Sequence, residues 1–252
     1  MPHTLRNKAV LITGGSRGIG RATALRLALD APSHIGIGYC RDEAAANRTV
    51  ADVEALGIAC SAFRADVGKE ESLRELFDAA ANRLGGLDIF ISNAARGAFQ
   101  PLATMNVRTW QKMIDLNARA FLLGSQLAAK FMSNGGRIVG ISSLGSRFCA
   151  PGYGGLGAAK AMIESMARYL AVEFAPSNIN VNVVCGGFVD TPSTRLLPNF
   201  EVLARDIAER TPAGRVATPG DLAGVIAFLC SPESDWIRGQ TLIVDGGYSL
   251  SL

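Results

Sequence analysis

Short apolar runs alternate along the chain with longer segments in which apolar residues recur at helical spacing. The pattern predicts strands at 8–13, 34–39, 59–65, 87–92, 136–142, 179–184 and 241–245. It predicts helices between them, at 18–30, 42–57, 70–84, 106–132, 154–175, 200–209 and 219–230. Continuously apolar strands separated by helices are typical of a parallel sheet that is covered on both faces. The chain is therefore predicted to be an α/β protein with a doubly wound parallel sheet, whose ligands bind beyond the carboxyl ends of the strands.

Composition supports one domain over residues 1–252. With 48% hydrophobic residues the chain can bury one sizeable core, and no linker, repeat or low-complexity stretch divides it. The net charge is only +3 and the basic residues are scattered, which argues against nucleic acid or a membrane surface as the main partner. No window approaches the ~20 apolar residues of a membrane span.

Cysteine and histidine usage narrows the setting and the chemistry. The five cysteines, at 40, 60, 149, 185 and 230, have no paired or metal-like spacing, so we expect reduced thiols in a cytoplasm. With two histidines and no carboxylate cluster, no transition-metal site is expected.

The first predicted strand leads into a glycine-rich segment, Thr13–Gly20, and a helical pattern follows at once. In a dinucleotide site Gly14 permits the tight turn, Gly18 lets the backbone approach a pyrophosphate and Gly20 lets the helix pack on the strand. The helix N-terminus then offers free N–H groups to phosphate. The other loop residues predicted to bind cofactor are Ser16, Arg17 and Ile19.

The end of the second strand predicts which nicotinamide cofactor binds. A site for NAD usually has a carboxylate there, whereas this chain has Cys40 followed by Arg41. Together with Arg17, Arg41 would give two guanidinium groups that can pair with a 2′-phosphate. The alternative is that both are solvated surface arginines, one of them neutralised by Asp42. We predict NADPH as the cofactor.

Two further motifs follow successive strands. Asp66 and Val67 follow the third strand, where the Asp side chain can accept a hydrogen bond from the adenine amino group. Asn93 and Ala94 follow the fourth, where small residues leave room for a ribose. The structural alternatives are a helix N-cap for Asp66 and a turn residue for Asn93. Their position after successive strands favours cofactor binding.

Together these motifs resemble the short-chain dehydrogenase/reductase family across nearly the whole chain. The matching positions are 13–20, 66–67, 93–95, Asn117, 141–143, Lys160, 181–182 and 238–247. The resemblance implies a Rossmann-like single domain, a nicotinamide cofactor and a homotetramer. It also implies cofactor contacts after the sixth strand, at Gly186, Val189 and Thr191.

Two departures from the family pattern point to a subgroup. Leu156 stands four residues before Lys160, where the family has its tyrosine, and Tyr153 stands seven residues before it. Gly186–Gly187 replaces the usual Pro-Gly. The tyrosine spacing resembles that of the enoyl-acyl-carrier-protein reductases. Together with the segment Ser142–Ser146 and the double glycine, it makes the chain most similar to their NADPH-dependent type III branch. That resemblance implies reduction of an enoyl thioester carried by acyl carrier protein, or by coenzyme A.

The tyrosine spacing has a chemical rationale. In a 2-enoyl thioester the hydride attacks C3 while negative charge develops on the C1 oxygen, farther from the nicotinamide than in a ketone. On a helix three residues correspond to roughly 4–5 Å at ~1.5 Å per residue. Tyr153 is predicted to stabilise the enolate. Lys160 is predicted to hold the nicotinamide ribose and favour proton release from the phenol.

Some roles remain open from the sequence. Ser143 either orients the substrate carbonyl or only caps strand and loop, and Asn117 either holds a carbonyl or water behind the lysine or bends a helix. Glycines at 152, 154 and 155 leave open whether the helix starts before or after them. The proline-containing segment 191–217 is either a mobile lid or a surface excursion.

The same uncertainty applies to the substrate side and to the function class. Residues predicted to flank the cleft are Arg96, Phe148, Cys149 and Phe188. Arginines that either meet an acidic carrier or phosphopantetheine phosphate, or are solvated, are Arg195, Arg205, Arg210 and Arg215. Two other functions stay open: a 3-ketoacyl or carbonyl reductase that uses Tyr153, and a non-catalytic NADP-binding regulatory protein whose active site has drifted.

Overall fold

The computed structural model describes residues 5–97 and 99–251, and in this part of the chain one seven-stranded sheet forms the centre of the molecule. The strands are β1 (Ala9–Thr13), β2 (His34–Tyr39), β3 (Ala59–Arg64), β4 (Ile89–Ser92), β5 (Gly136–Ser143), β6 (Ile179–Gly186) and β7 (Thr241–Val244). Their order across the sheet is β3-β2-β1-β4-β5-β6-β7, and every neighbouring pair is parallel. The predicted Rossmann-like, doubly wound fold is confirmed.

Helices cover both faces of this sheet. The α-helices are α1 (Gly18–Ala28), α2 (Glu43–Glu54), α3 (Glu70–Leu84), α4 (Val107–Ile114), α5 (Ala120–Phe131), α6 (Gly154–Glu173), α7 (Phe200–Arg210) and α8 (Pro219–Cys230). Short 3₁₀ turns lie at Leu102–Thr104, Leu144–Ser146, Ala175–Ser177, Thr194–Leu196, Pro232–Ser234 and Tyr248–Leu250. No helix within 5–97 or 99–251 is long and apolar enough to cross a membrane.

The buried core lies in two layers, one on each face of the sheet. On one face α1, α2 and α8 contribute side chains such as Leu27, Val53 and Ile226. On the other, α3, α5 and α6 contribute Phe77, Phe121 and other apolar residues. The sheet needs apolar cover on both sides, which is why its strands read as continuous apolar runs.

The order of the strands fixes the position of the cleft. β4 follows β3 in the chain but pairs with β1, so the sheet grows in opposite directions from the β1–β4 pair. In open α/β sheets ligands bind at such a reversal, beyond the carboxyl ends of the strands. The segments that follow β1, β4, β5 and β6 are therefore the candidates for the site.

The predicted helix at 106–132 is interrupted by a π-helical segment, Asp115–Arg119, between α4 and α5. Asn117 Nδ2 donates to the carbonyl of Met113 at 2.8 Å and to that of Arg96 at 3.0 Å. The Asn117 side chain thus bonds the carbonyl one helical turn before it, within the segment where the helix widens. Asn117 thus lies within the interruption of the helix and binds two backbone carbonyls, and its role behind Lys160 stays a prediction.

Candidate active site

The glycine loop after β1 has a backbone that requires glycine. Gly14 has φ +68° and Gly18 has φ +57°, in the left-handed region that other residues rarely adopt. A Cβ on Gly20 would lie 2.3 Å from the Gly14 carbonyl oxygen, so α1 can begin this close to β1 only at a glycine. No side chain caps the N-terminus of α1 in the described structure, which leaves backbone N–H groups for a phosphate. The loop therefore fits a dinucleotide.

Asn93 braces this loop from the neighbouring strand. Its Nδ2 donates to the carbonyls of Thr13 at 3.0 Å and Gly14 at 2.9 Å. The backbone N–H groups of Asn93 and Ala94 both donate to Thr13 Oγ1. The Asn93 side chain thus holds the loop in shape, and the ribose contact predicted for this segment would fall to the small Ala94.

A second brace comes from α2. Thr49 Oγ1 donates to the Ser16 carbonyl at 3.1 Å. The Gly15 N–H donates to the carbonyl of Gly38 on β2 at 3.0 Å, and Ile19 packs against the core below the loop. The loop is thus tied to two neighbouring elements of the fold.

The predicted 2′-phosphate residues lie together at the end of β2 and on the glycine loop. Cys40, Arg41 and Arg17 are exposed. Asp42 does not neutralise either arginine: its carboxylate accepts the Ala45 N–H at 2.9 Å as the N-cap of α2. Neither arginine forms an ion pair within the described ranges, so both guanidinium groups are available to a phosphate.

Asp66 follows β3 but does not cap the next helix. Lys69 is the N-cap of α3, so the N-cap alternative for Asp66 is wrong. Its Oδ1 accepts the Gly68 N–H at 3.1 Å in a tight turn, and the neighbouring Val67 is buried. The contact of Asp66 with adenine stays a prediction.

The segment after β6 forms the opposite rim of the cleft. A Cβ on Gly18 would lie 3.7 Å from the Thr191 side chain, so this threonine faces the glycine loop. Val189 is buried and pairs with Ala217 in an isolated bridge. Gly186 ends β6, where a Cβ would lie 2.8 Å from a side-chain atom of α8. The three predicted cofactor residues of this segment therefore follow one rim.

Lys160 is fully buried on α6. Its Nζ donates to the Ile141 carbonyl at 2.8 Å, and only 6% of the residue is exposed. Burial disfavours the ammonium form and lowers the pKa of Lys160 to about 8. Lys160 is therefore a buried residue of the site and not a solvated surface lysine.

Tyr153 meets Ser143 directly. The two hydroxyl oxygens lie 2.8 Å apart, and Tyr153 is the N-cap of α6, with its carbonyl accepting the Gly157 N–H at 2.8 Å. Burial raises the pKa of Tyr153, and the Ser143 hydrogen bond acts against this rise because it stabilises the phenolate. The helix α6 begins at Gly154 and therefore includes Gly154 and Gly155 in its first turn.

Backbone and aromatic contacts hold the Tyr153 ring. A Cβ on Gly145 would lie 2.3 Å from Tyr153 Cδ1, so the loop after β5 packs directly on the ring. The Phe99 ring lies 5.8 Å away between centroids. Leu156, at the position of the family tyrosine, is 8% exposed and packs against Gly97. The Leu156 side chain has no polar atom, so the phenol that can serve this site is that of Tyr153.

The segment 191–217 is an exposed excursion carrying α7, in which Ile207 and Thr211 are buried. Three of its four arginines form ion pairs with neighbouring carboxylates: Arg195–Asp190, Arg210–Asp206 and Arg215–Asp221. Arg205 forms no ion pair in the described chain. Phe188 stacks on Phe200 at 5.9 Å, whereas Phe148 and Cys149 are exposed, as is Arg96. Closure of this segment as a lid stays a prediction.

Comparison with known proteins identifies the family. A family profile described as enoyl-(acyl carrier protein) reductase matches residues 14–249. The chain belongs to the short-chain dehydrogenase/reductase family. It is 44% identical to 1-cyclohexenylcarbonyl-CoA reductase of Streptomyces collinus over 97% of this chain and 88% of that protein. It is 34% identical to 3beta-hydroxysteroid dehydrogenase 1 of Eggerthella lenta, over 98% of this chain and 95% of that protein.

A solved structure agrees with this assignment. A short-chain dehydrogenase from Burkholderia cenocepacia in complex with NADP matches with a TM-score of 0.91 and 34% identity, covering 98% of this chain and 99% of that one. The protein is therefore an oxidoreductase of a family that binds a nicotinamide cofactor.

Three residues that shape the site were not found from the sequence. They are Thr49, Gly145 and Glu164. Thr49 and Gly145 act through contacts with residues distant in the chain, which no local pattern reveals. Glu164 did leave a signal, because it is a carboxylate four residues after Lys160, on the same face of a largely apolar helix.

Proposed function

We propose that this protein uses NADPH to reduce the C2–C3 double bond of trans-2-enoyl thioesters. The observation that carries the proposal is the 2.8 Å contact between Tyr153 and Ser143, made from a position three residues before the buried Leu156. Three residues correspond to roughly 4.5 Å along a helix. The donor is thus displaced in the sense that a conjugated substrate requires, because its charge develops on an oxygen two carbons from the attacked carbon.

In the proposed reaction the protein binds the cofactor, orients the thioester and stabilises the enolate. NADPH, when bound, would supply a hydride to C3, and a proton would add at C2 of the enolate to complete the reduction. Tyr153 donates a hydrogen bond to the thioester oxygen and stabilises the enolate, and Ser143 holds the phenol in position. Lys160 binds the nicotinamide ribose, and its positive charge favours negative charge on the phenol or the substrate oxygen. Arg17 and Arg41 pair with the 2′-phosphate of the cofactor.

The acyl carrier in this proposal is coenzyme A or acyl carrier protein. The relative from Streptomyces collinus is named for a coenzyme A thioester whose carbonyl adjoins a ring double bond, whereas the matching profile is named for the carrier protein. Among the arginines of the 191–217 segment, Arg205 is the one left to meet a phosphate or an acidic carrier without breaking an ion pair.

A second candidate is reduction of a 3-ketoacyl or other carbonyl group. The Tyr153–Ser143 pair also suits a ketone oxygen, and the relative from Eggerthella lenta is named as a hydroxysteroid dehydrogenase. The third hypothesis, a non-catalytic regulatory protein, required that Tyr153 fail to reach the cleft. Its hydroxyl bonds Ser143 at the carboxyl end of β5, and Lys160 is buried and bonds the Ile141 carbonyl of the same strand, which speaks against drift of the active site.

The test is oxidation of NADPH by the purified protein with crotonyl and acetoacetyl thioesters, each on coenzyme A and on acyl carrier protein. Faster oxidation with crotonyl thioester supports the proposal, and the better carrier identifies the partner. Preference for acetoacetyl thioester would establish the second candidate instead. A control reaction without thioester measures the oxidation of NADPH that is not coupled to substrate reduction.

We also propose that the protein is a cytoplasmic homotetramer. Large apolar side chains lie exposed on α6, at Tyr169 and Val172, and Trp236 is 98% exposed. Exposed apolar residues grouped on a helix face are typical of protein contacts. Size-exclusion chromatography with light scattering measures the mass of the particle in solution. A monomer at micromolar concentration would contradict the tetramer.

A further inference from the structure

Glu164 is a buried carboxylate next to the catalytic residues. Among the described residues, the only charged side chains in the fully buried class are Lys160 and Glu164, each with 6% of the residue exposed. They lie four residues apart on α6 and so share one face of the helix. A buried charge is costly unless it is paired and hydrogen-bonded. Both charges on this helix face therefore need hydrogen-bond partners inside the protein.

Within the described part of the chain, this carboxylate accepts four side-chain hydrogen bonds, and all of them come from one short segment. Ser142 and Ser146 donate to Oε1 at 2.6 and 2.5 Å. The Arg147 guanidinium donates to Oε2 from Nε at 3.3 Å and from a terminal nitrogen at 3.1 Å. These donors flank Ser143 on both sides in the chain. The carboxylate thus clamps to α6 the segment that carries the catalytic serine.

The same segment touches the catalytic tyrosine. The backbone of Gly145 packs on the Tyr153 ring, and a Cβ on Gly157 would lie 2.3 Å from the Gly145 carbonyl oxygen. A shift of this segment along α6 would therefore move Ser143 and the tyrosine ring relative to one another. Hydrogen bonding at 2.8 Å tolerates little such movement.

We propose that Glu164 is a positioning residue that fixes the 142–147 segment on α6 and so sets the hydrogen bond between Ser143 and Tyr153. The inference rests on the proposed function in so far as that reaction uses this pair. Glu164 acts through Ser143 and does not itself touch the substrate. Its loss should lower kcat far more than it changes the affinity for NADPH, because Glu164 forms no hydrogen bond with the glycine loop or with Arg17 and Arg41.

A double-mutant cycle tests this route of action. Glu164→Met, which keeps the length of the side chain, and Ser143→Ala should each lower kcat by at least about tenfold. The double variant should fall no more than about twofold below Ser143→Ala, whereas independent effects would multiply to about a hundredfold loss. Glu164→Gln keeps an acceptor oxygen and should retain more activity than Glu164→Met. Multiplying effects, or kcat of Glu164→Met within twofold of the wild type, would overturn the proposal.

Controls separate positioning from general damage. Ser125→Ala removes another buried hydroxyl, which donates to the Phe121 carbonyl at 2.7 Å on α5, and should keep kcat near the wild-type value. If Glu164→Met does not fold, Ser146→Ala and Glu164→Gln complete the cycle with Ser143→Ala. The dissociation constant for NADPH, from its fluorescence, should stay within about twofold for every folded variant.

The cycle is read on whichever thioester the wild type reduces, so a preference for a 3-ketoacyl substrate would overturn the proposed function and leave this test intact. If neither thioester reacts, the proposed function fails, and crystal structures of the wild type and Glu164→Gln compare the Ser143–Tyr153 distance without turnover. Lengthening of that contact would support the positioning role, and an unchanged contact would refute it.

Discussion

Replacing Tyr153 by phenylalanine should abolish enoyl reduction without unfolding the protein. The substitution removes one hydroxyl and keeps the ring that packs against Gly145 and Phe99. The lost hydroxyl is the proposed donor to the developing negative charge, and loss of such a donor costs about 10²–10³ in kcat, or about 2.7–4 kcal/mol. Because this hydrogen bond strengthens in the transition state, kcat and kcat/KM should fall together.

Stability should change little by comparison. The substitution removes one hydrogen bond to Ser143, which contributes about 1 kcal/mol net. For a chain of this length that loss lowers Tm by about 2–4 °C. The assay is oxidation of NADPH with crotonyl thioester, beside a thermal melt and an NADPH titration. Turnover within about tenfold of the wild type would refute the assignment of Tyr153.

A second substitution asks whether the position of the phenol matters. Leu156→Tyr in the Tyr153→Phe background restores the tyrosine spacing usual in the family. Since Leu156 is buried against Gly97, the larger ring should cost about 1–3 kcal/mol of stability. We expect no recovery of enoyl reduction. Recovery to the wild-type rate would show that the position along the helix does not select the substrate.

Three further predictions concern charge, cofactor and packing. Burial lowers the pKa of Lys160 to about 8, so its positive charge is present below that pH and lost above it. We therefore expect kcat/KM for NADPH to fall as the pH rises through about 8. A flat profile up to about pH 10 would contradict this. Replacing Arg17 and Arg41 by serine should raise KM for NADPH at least about tenfold and leave KM for NADH within about twofold, and equal losses would refute the 2′-phosphate assignment. Gly145→Ala should displace the Tyr153 ring, lowering kcat at least about tenfold and stability by about 1–3 kcal/mol. In the control Gly224→Ala the added Cβ meets open space on α8, so the change should be neutral or stabilising by up to about 1 kcal/mol. Equal melting temperatures for Gly145→Ala and Gly224→Ala would contradict the packing argument.

The fold could be predicted from the sequence because its signals are local. Strands buried on both faces are continuous apolar runs, and they alternate with helical periodicity, so apart from the interrupted helix every predicted end lies within three residues of the observed one. The π-helical segment was not predicted. Asn117 lies within this segment and bonds the Arg96 carbonyl, a contact between residues 21 positions apart that leaves no periodic trace.

The candidate site could be predicted in part for the same reason. Motifs that follow successive strands converge because parallel strands end at one edge of the sheet, which brings Gly18 close to Thr191. Individual roles depend on long-range partners instead. Asn93 bonds Thr13, 80 residues away, and Glu164 bonds Ser142, 22 residues away. Neither distance can be obtained from a pattern along the chain.

The glycines around Tyr153 illustrate this limit most clearly. Glycine is a poor helix former, so three of them near Tyr153 left the start of α6 uncertain. In the structure they serve packing: a Cβ on Gly154 would lie 2.7 Å from Leu102 Cδ1, and one on Gly155 would lie 2.3 Å from Met113 Cε. The glycines let the neighbouring segments close over the first turn of α6. Larger residues at these positions would push Leu102 and Met113 away from the start of α6, where the half-buried Tyr153 stands.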